Sequence, residues 1–176
     1  MTDLVRLARQ LLPNLPADVF DGWLIERIEA AGWPPRGARW NALLGGYSVQ
    51  DWSSFTWTAE DVDLHTLPFA EDSIRNIVGL SQAEFSGIQN AYSSIENSRN
   101  RMSRIYSHIN ETKKLPGRVV LIASDLGWEI IDGCHRITMY EGCLRHPDLK
   151  DKVERLQPAW VARGPGTFAK GVASGA

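Results

Sequence analysis

The spacing of apolar residues is helical in the first thirty residues of the chain. Residues 2–12 predict one helix and residues 18–31 a second, because apolar side chains recur at steps of three and four until a proline or a glycine interrupts them. Residues 33–60 follow no clear period, which predicts loops with a short helix near residues 40–44. We therefore expect residues 1–60 to form a helical, tryptophan-rich N-terminal extension whose five tryptophans build a small aromatic core.

Strand patterns and one long helical pattern follow. Residues 62–67 alternate apolar and polar side chains, as a half-buried strand does. Residues 81–84 have the form of a capping box, and the apolar period that continues from them to Ile109 predicts one long amphipathic helix, or two collinear helices with a break near residues 97–100. The continuous apolar run at residues 119–123 is typical of a strand that is buried on both faces.

A hairpin, a helix and a last strand complete the pattern. Residues 125–127 have hairpin-turn chemistry, and residues 128–131 return as a strand. Gly133 then opens a helix that runs to about residue 144, and residues 156–162 predict a final strand. Strands mixed with helices in this way predict an α/β (α+β) domain.

Composition and charge narrow the classes of function. The net charge of −2 gives no electrostatic footprint for nucleic acid, although it leaves room for a local basic patch. No apolar run approaches the roughly 18 residues of a membrane span, and the first residues lack the apolar core of a secretory signal, so we expect no membrane partner. On one helix Cys134 and Cys143 would lie roughly 13 Å apart, beyond the ~7 Å limit for a disulfide. A cytoplasmic location is expected.

The segment Asp132-Gly133-Cys134-His135-Arg136 lies where the predicted strand ends and the helix begins. Gly133 permits a tight turn, and the free N–H groups of a helix start favour an anion. Arg136 offers a fork of donors for phosphate, and His135 can donate to phosphate or shuttle a proton. Asp132 is suited to act as a base or to hold magnesium. Cys134, if exposed, should have a lowered thiol pKa.

Each of these residues also has a structural interpretation. Asp-Gly is a common turn, Cys134 could be a small buried hydrophobe, and Arg136 could form an ion pair with Glu129 or Glu141. The combination at the end of a predicted strand nevertheless favours an anion- or nucleotide-phosphate-binding site.

Residues 62–162 resemble the ParB/sulfiredoxin superfamily in the order of their elements. The resemblance rests on the strand before Pro68, the helix around residues 99–110, Leu115-Pro116, the strand at residues 119–123 and the motif Ile131-Asp-Gly-Cys-His-Arg136. It implies a ParB/sulfiredoxin-like small mixed sheet with flanking helices at residues 61–163. A helical N-terminal extension would precede it, and a flexible tail at residues 164–176 would follow.

Proteins with this motif divide in function. Sulfiredoxins carry Gly-Gly-Cys-His-Arg, repair cysteine sulfinic acid with its cysteine and bind ATP phosphates, but this chain has Asp132 where they have glycine. Free-serine kinases carry Asp-Gly-His-His-Arg and an early glutamate base. Cys134 replaces their first histidine here, and Glu71 is the nearest candidate for that base, with Asp72 nearly as good. ParB proteins bind CTP and DNA, but their Gly-Glu-Arg-Arg-like run is absent, and we expect no helix-turn-helix domain after Ala162.

The residues and the resemblance together predict an enzyme that binds ATP, or another nucleoside triphosphate, and transfers a phosphoryl group to a small acceptor. Gly133, Cys134, His135 and Arg136 would bind the phosphates, with Mg²⁺ at Asp132. The catalytic candidates are Asp132, Glu71 and Cys134. Two alternatives stay open: sulfiredoxin-like thiol chemistry at Cys134, and a non-enzymatic, nucleotide-gated or DNA-associated binding module.

Overall fold

The computed structural model describes residues 3–33 and 44–164. The helices and strands, in chain order, are α1 (Asp3–Leu11), α2 (Ala17–Val19), a π-helical segment (Phe20–Leu24), α3 (Ile25–Ala31), α4 (Val49–Ser54), β1 (Thr56–Asp63), α5 (Glu71–Phe85), α6 (Ser98–Thr112), β2 (Val119–Ser124), β3 (Gly127–Asp132), α7 (Cys134–Arg145) and β4 (Leu156–Arg163), with short 3-10 turns at Ala91–Ser94 and Lys150–Lys152. In this part of the chain, no helix is long and apolar enough to cross a lipid bilayer.

The strands form one mixed sheet in the order β1-β4-β2-β3. Strand β4 pairs antiparallel with β1 and parallel with β2, while β2 pairs antiparallel with β3. Helices pack against the sheet, so the prediction of an α/β fold with a small mixed sheet and flanking helices is confirmed.

The sheet lies between two apolar cores, and this explains the continuous apolar run of β2. Val120 and Ile122 belong to a core that they share with the N-terminal helices. Val119 and Leu121 belong to the opposite core, formed with α6 and α7. Successive side chains of a strand point to opposite faces, so a strand covered on both sides is apolar at every position. The N-terminal segment therefore covers one face of the sheet directly.

The aromatic residues of the N-terminal segment are core residues. Trp23 and Trp52 are 2% and 1% exposed and stack with their ring centroids 5.3 Å apart. Trp57 and Phe55 pack against the Trp52 ring at 5.6 and 5.9 Å. The prediction of an aromatic core is confirmed for these residues, whereas Trp40 and most of the helix predicted near residues 40–44 lie outside the described residues.

The first strand does not lie where its alternation predicted it. Strand β1 spans Thr56–Asp63, and residues 64–66 form a turn, so the predicted strand at residues 62–67 is wrong over most of its length. Its register against β4, from Thr56 opposite Arg163 to Asp63 opposite Leu156, is a long-range contact that a local pattern does not contain. The proposed boundary between residues 60 and 61 falls inside this strand.

The long helix predicted from residue 81 is also wrong in its first part. Helix α5 begins at Glu71, so residues 81–84 lie near its end rather than at its start. Two acidic residues in its first turn, Glu71 and Asp72, favour that start through the helix dipole. The chain leaves α5 at Ser86 and begins the next α-helix at Ser98, so the break lies mainly before the predicted residues 97–100, of which residues 98–100 are helical.

A candidate anion-binding site at the start of α7

The predicted motif forms a tight junction between β3 and α7. Strand β3 ends at Asp132, Gly133 adopts a left-handed φ of 104°, and α7 begins at Cys134. A Cβ atom on Gly133 would lie 2.7 Å from Cγ1 of Val119, so only glycine fits both the dihedral and the space. Gly133 is also the N-cap residue and has no side chain to accept from the first N–H groups of α7. The helix start can therefore offer these donors to an anion.

The junction opens into a cleft of about 510 Å³. Its lining comprises Asp132, Gly133, Cys134, His135 and Arg136 from the motif, Ile130 and Ile131 from β3, Arg101, Arg104 and Ile105 from α6, and Arg27 from α3. Among the described residues that line it, Asp132 is the only carboxylate, against four arginines. The cleft is therefore a cationic cavity of a size that falls within the usual range of about 300 to 1,000 Å³ for ligand sites.

Arg27 is a cleft residue that the sequence did not indicate. Its Nη1 donates to the backbone carbonyl of Trp23 at 2.7 Å, and its guanidinium lies 4.7 Å from the centroid of the Trp23 ring. Burial lowers the Arg27 pKa, while the negative charges of Asp132 and Glu26 act in the opposite direction. Arginine stays protonated under such shifts, so Arg27 is a fixed, partly buried cation at the cleft wall.

The Arg136 guanidinium is bonded to protein atoms. Its Nη1 donates to the carbonyls of Pro116 and Arg118 at 3.1 and 2.9 Å, and its Nη2 donates to Oδ2 of Asp132 at 2.5 Å. The side chain is only 17% exposed. Arg136 therefore ties the loop before β2 to the β3–α7 junction, and the donors named here are committed to that task rather than to a phosphate.

The carboxylates that the sequence suggested as partners for Arg136 have other partners. The hydroxyl of Tyr47 donates to Glu129 at 2.7 Å. Glu141 contacts Nδ1 of His65 at 3.1 Å and Arg145 at 3.5 Å. Arg136 does form an ion pair, but its partner is Asp132, four residues before it along the chain.

Among the described residues that line the cleft, Asp132 is the one side chain that could ligate a hard cation. It is 38% exposed, and its Oδ2 already accepts from Arg136. Within residues 3–33 and 44–164 no group of three or more His, Cys, Asp or Glu side chains could hold a metal ion. Magnesium commonly binds through one or two carboxylates together with substrate phosphates, and Asp132 fits that kind of site, with the ligand supplying the remaining oxygens.

His135 lies in the cleft as a neutral imidazole near pH 7. Its Nε2 is 3.1 Å from the hydroxyl of Ser98, the first residue of α6. Burial and the positive charge of Arg101 lower the His135 pKa, and the carboxylates of Glu84 and Asp132 oppose that shift. In the neutral form one ring nitrogen donates and the other accepts, so His135 can bridge the Ser98 hydroxyl and a ligand.

The Cys134 thiol does not have the properties of a nucleophile. Burial raises its pKa to about 12, and the negative charge of Asp132 adds to that rise, with the Thr138 hydroxyl acting against it. The sequence predicted a lowered thiol pKa only for an exposed cysteine, and Cys134 is partly buried. The thiolate is the reactive form, so the raised pKa disfavours Cys134 as a nucleophile. Cys143 is likewise a free thiol and is buried in the core.

Glu71 does not lie among the residues that line the cleft. Its side chain, in the first turn of α5, is 88% exposed and accepts from Arg75 at 3.0 Å. Asp72 is similarly exposed and pairs with the same arginine. The carboxylate of α5 whose charge reaches the motif is Glu84, near the other end of the helix.

No family model, curated protein or solved structure matches this chain. The resemblance to the ParB/sulfiredoxin superfamily therefore stays a prediction from the motif and the order of elements.

Proposed function

We propose that this protein binds a nucleoside triphosphate in the cleft, with the phosphates at the start of α7. The observation that carries the proposal is the convergence of Arg27, Arg101 and Arg104, from two other helices, on a helix start that lacks a side-chain cap. A polyanion is the ligand class that such a cavity favours, because the helix dipole and the guanidinium groups act on it together.

The apolar wall of the cleft favours a nucleotide over inorganic phosphate. Ile105, Ile130 and Ile131 line the same cavity as the arginines. Ile105 is buried in the core at 8% exposure, so its position in the cleft wall is fixed by packing. A ligand with one flat apolar part and one anionic part would use both walls, and a nucleoside triphosphate has that form.

Phosphoryl transfer to a small acceptor is the activity we propose for this site. Transfer depends on neutralising charge on the phosphoryl oxygens and on orienting the attacking group. That charge would be neutralised by the N–H groups at the start of α7 and by Arg27, Arg101 and Arg104. Asp132 would hold Mg²⁺ together with the phosphates, and the metal would neutralise part of their charge.

A non-enzymatic nucleotide-binding module is the second candidate. It is favoured by the engagement of Asp132 with Arg136, which already occupies one oxygen of the only carboxylate among the described lining residues. Sulfiredoxin-like chemistry is disfavoured because the raised Cys134 pKa leaves very little thiolate at neutral pH.

Calorimetric titration with ATP and Mg²⁺ tests the proposal. We expect saturable binding that Arg104→Ala weakens by about 5- to 30-fold, since one charge-assisted contact at an accessible site contributes about 1 to 2 kcal/mol. Arg75→Ala, which removes another exposed arginine, on α5 and outside the cleft lining, is the control and should bind ATP as the wild type does. A specific site at the cleft would be contradicted if both variants bound ATP as the wild type does, or if both bound it more weakly. Measured phosphate release separates the enzyme from the binding module.

A further inference from the structure

Helix α5 carries apolar side chains on two of its faces. Ile77 packs against the core that is formed with α6 and α7. Ile74, Val78 and Phe85 lie on another face, and each of them is 46 to 48% exposed. Ser81 lies between them, so the four residues follow one another at steps of four, three and four. Two helices that pack side by side use this spacing, so the exposed stripe is a candidate helix–helix contact.

A groove between α5 and α7 runs beside this stripe. Two cavities, of about 490 and 200 Å³, share Ser81, Gly142 and Arg145 in their lining and so form one continuous depression. A Cβ atom on Gly142 would lie 2.9 Å from Cε2 of Phe85, so glycine at this position lets α7 approach the Phe85 ring. The larger cavity is mainly apolar, with a lining that includes Phe85, Tyr106, Met139, Cys143, Pro147 and Leu149. The stripe is thus the rim of an apolar groove rather than a set of isolated side chains.

The stripe is complementary to a second copy of itself. If two copies of α5 lie antiparallel about a twofold axis between Val78 and Ser81, Val78 of one copy faces Ser81 of the other. Ile74 then faces Phe85 of the other copy, at the opening of the larger cavity. The small Ser81 leaves room for Val78 near the axis, where the two helices approach most closely. A contact of this kind uses the same surface on both copies and closes after two chains.

The charges at the two ends of the stripe also match in this orientation. Glu71 lies in the first turn of α5, and its side chain is 88% exposed. Arg145 lines the groove beside Phe85 at the other end, and its side chain is 73% exposed. An antiparallel pair therefore brings Glu71 of each copy towards Arg145 of the other. Glu71 now contacts Arg75 at 3.0 Å and Arg145 contacts Glu141 at 3.5 Å, and ion pairs that water reaches are weak enough to be exchanged.

We infer that the exposed stripe of α5 is the contact surface of a homodimer, in which two copies of α5 pack antiparallel. The groove and the cationic cleft share none of their described lining residues, so the inference does not depend on the proposed nucleotide site. The contact consists of one helix face and its flanks, which is small for a protein interface, so the dimer should dissociate on dilution.

Sedimentation velocity of the whole chain at about 10 to 500 µM, a range suited to a weak interface, tests the inference. The mass of the wild type should rise from one chain towards two as the concentration rises. Val78→Glu places like charges on both sides of the axis and should keep the mass at one chain throughout. Leu126→Glu, in the β2–β3 turn, and Leu7→Glu, on α1, replace other exposed leucines and should dimerise as the wild type does. All three variants should unfold at the wild-type urea concentration, because each change is at an exposed position.

A charge exchange tests the antiparallel arrangement. Glu71→Arg and Arg145→Glu should each raise the dimer dissociation constant by about 3- to 10-fold, because the twofold axis repeats the altered pair. The double variant restores the pair with its charges reversed and should dimerise within about twofold of the wild type. A double variant that dimerises no better than the single variants would overturn the antiparallel arrangement.

The homodimer itself has separate tests. A wild type that stays at one chain throughout, a dimer that Val78→Glu leaves intact, or a mass that rises beyond two chains would overturn the inference. A dimer that Leu7→Glu disrupts would also overturn it, since the contact would then lie on α1.

Discussion

Replacing Arg136 by alanine should destabilise the fold before it affects any ligand. The change removes three hydrogen bonds and leaves the carbonyls of Pro116 and Arg118 and the carboxylate of Asp132 without their guanidinium partner. Removing one member of a buried, hydrogen-bonded ion pair costs about 3 to 5 kcal/mol.

The lower end of that range applies here, because water can reach part of Asp132. The side chain of Asp132 is 38% exposed and that of Arg136 is 17% exposed. We therefore expect the free energy of unfolding to fall by about 3 kcal/mol. At about 2 to 4 °C per kcal/mol for a chain of this size, the melting temperature should fall by about 6 to 12 °C. Arg136→Lys keeps the charge but loses the planar fork, so it should lose roughly half as much.

Urea denaturation of Arg136→Ala beside Arg104→Ala measures this difference. Arg104 is an exposed cleft residue, so its removal should change the free energy of unfolding by less than about 0.5 kcal/mol while weakening ATP binding. The reasoning would be refuted if Arg136→Ala unfolded at the wild-type urea concentration and lost more ATP affinity than Arg104→Ala. The Arg136 fork would then serve the ligand, as the sequence first suggested.

Three further predictions concern the same junction. Gly133→Ala should lower the free energy of unfolding by about 2 to 3 kcal/mol in urea melts, because alanine at a φ of 104° is strained and its Cβ meets Val119; a wild-type midpoint would contradict the backbone description. The rate at which iodoacetamide alkylates Cys134 in the folded protein should show no inflection below pH 10, because burial raises the thiol pKa to about 12. An inflection of that rate below pH 8 would instead support Cys134 as a nucleophile. Because the His135 pKa is lowered, the stability that the neutral imidazole contributes is present above about pH 6.5 and is lost as the pH falls. Arg101→Gln should raise that pKa in an NMR titration, and an unchanged value would exclude Arg101 as a cause.

The pattern of apolar residues predicted best the part of the fold that lies between the two apolar cores. The run at residues 119–123 is β2, and the motif does lie between a strand and a helix. Burial on two faces leaves a strong local signal of this kind. Strand β1 carries a weaker signal because it is an edge strand that mixes exposed and half-buried positions. Its place depends on pairing with β4, about a hundred residues away along the chain.

The misplaced start of α5 explains why the sequence did not show which end of that helix lies near the motif. The chain enters α5 through an isolated bridge between Phe69 and Trp128. The backbone bonds between Trp128 and Pro68 and between Ala70 and Trp128 hold that entry. These contacts join segments that are distant along the chain, so the spacing of apolar residues does not predict them. Only the folded chain brings the last turn of α5 beside the motif.

The roles of Arg136 and Arg27 could not be predicted for a different reason. Arg136 bonds to the main-chain carbonyls of residues 116 and 118, and every residue type supplies a carbonyl. Arg27 lies in a helix whose apolar residues predicted the buried face correctly. Their spacing did not predict that Arg27, beside that face, would line the cleft. The sequence thus placed the candidate anion site at the junction, while the packing of the N-terminal helices adds Arg27 to the lining of the same cleft.

The most direct measurement is a titration of the ¹⁵N-labelled protein with Mg²⁺-ATP, followed by amide chemical shifts. The account predicts saturable shifts at the amides of Cys134, His135 and Arg136, together with a shift at the Nε of Arg27, because these groups line one cleft at the start of α7. Arg27→Ala should raise the dissociation constant by about 5- to 30-fold, with changes in the ligand-free spectrum confined to the neighbours of Arg27 such as Trp23. The central claim would be contradicted if ATP produced no shifts at residues 133–136, or if the shifted amides lay on a surface that does not include the cleft.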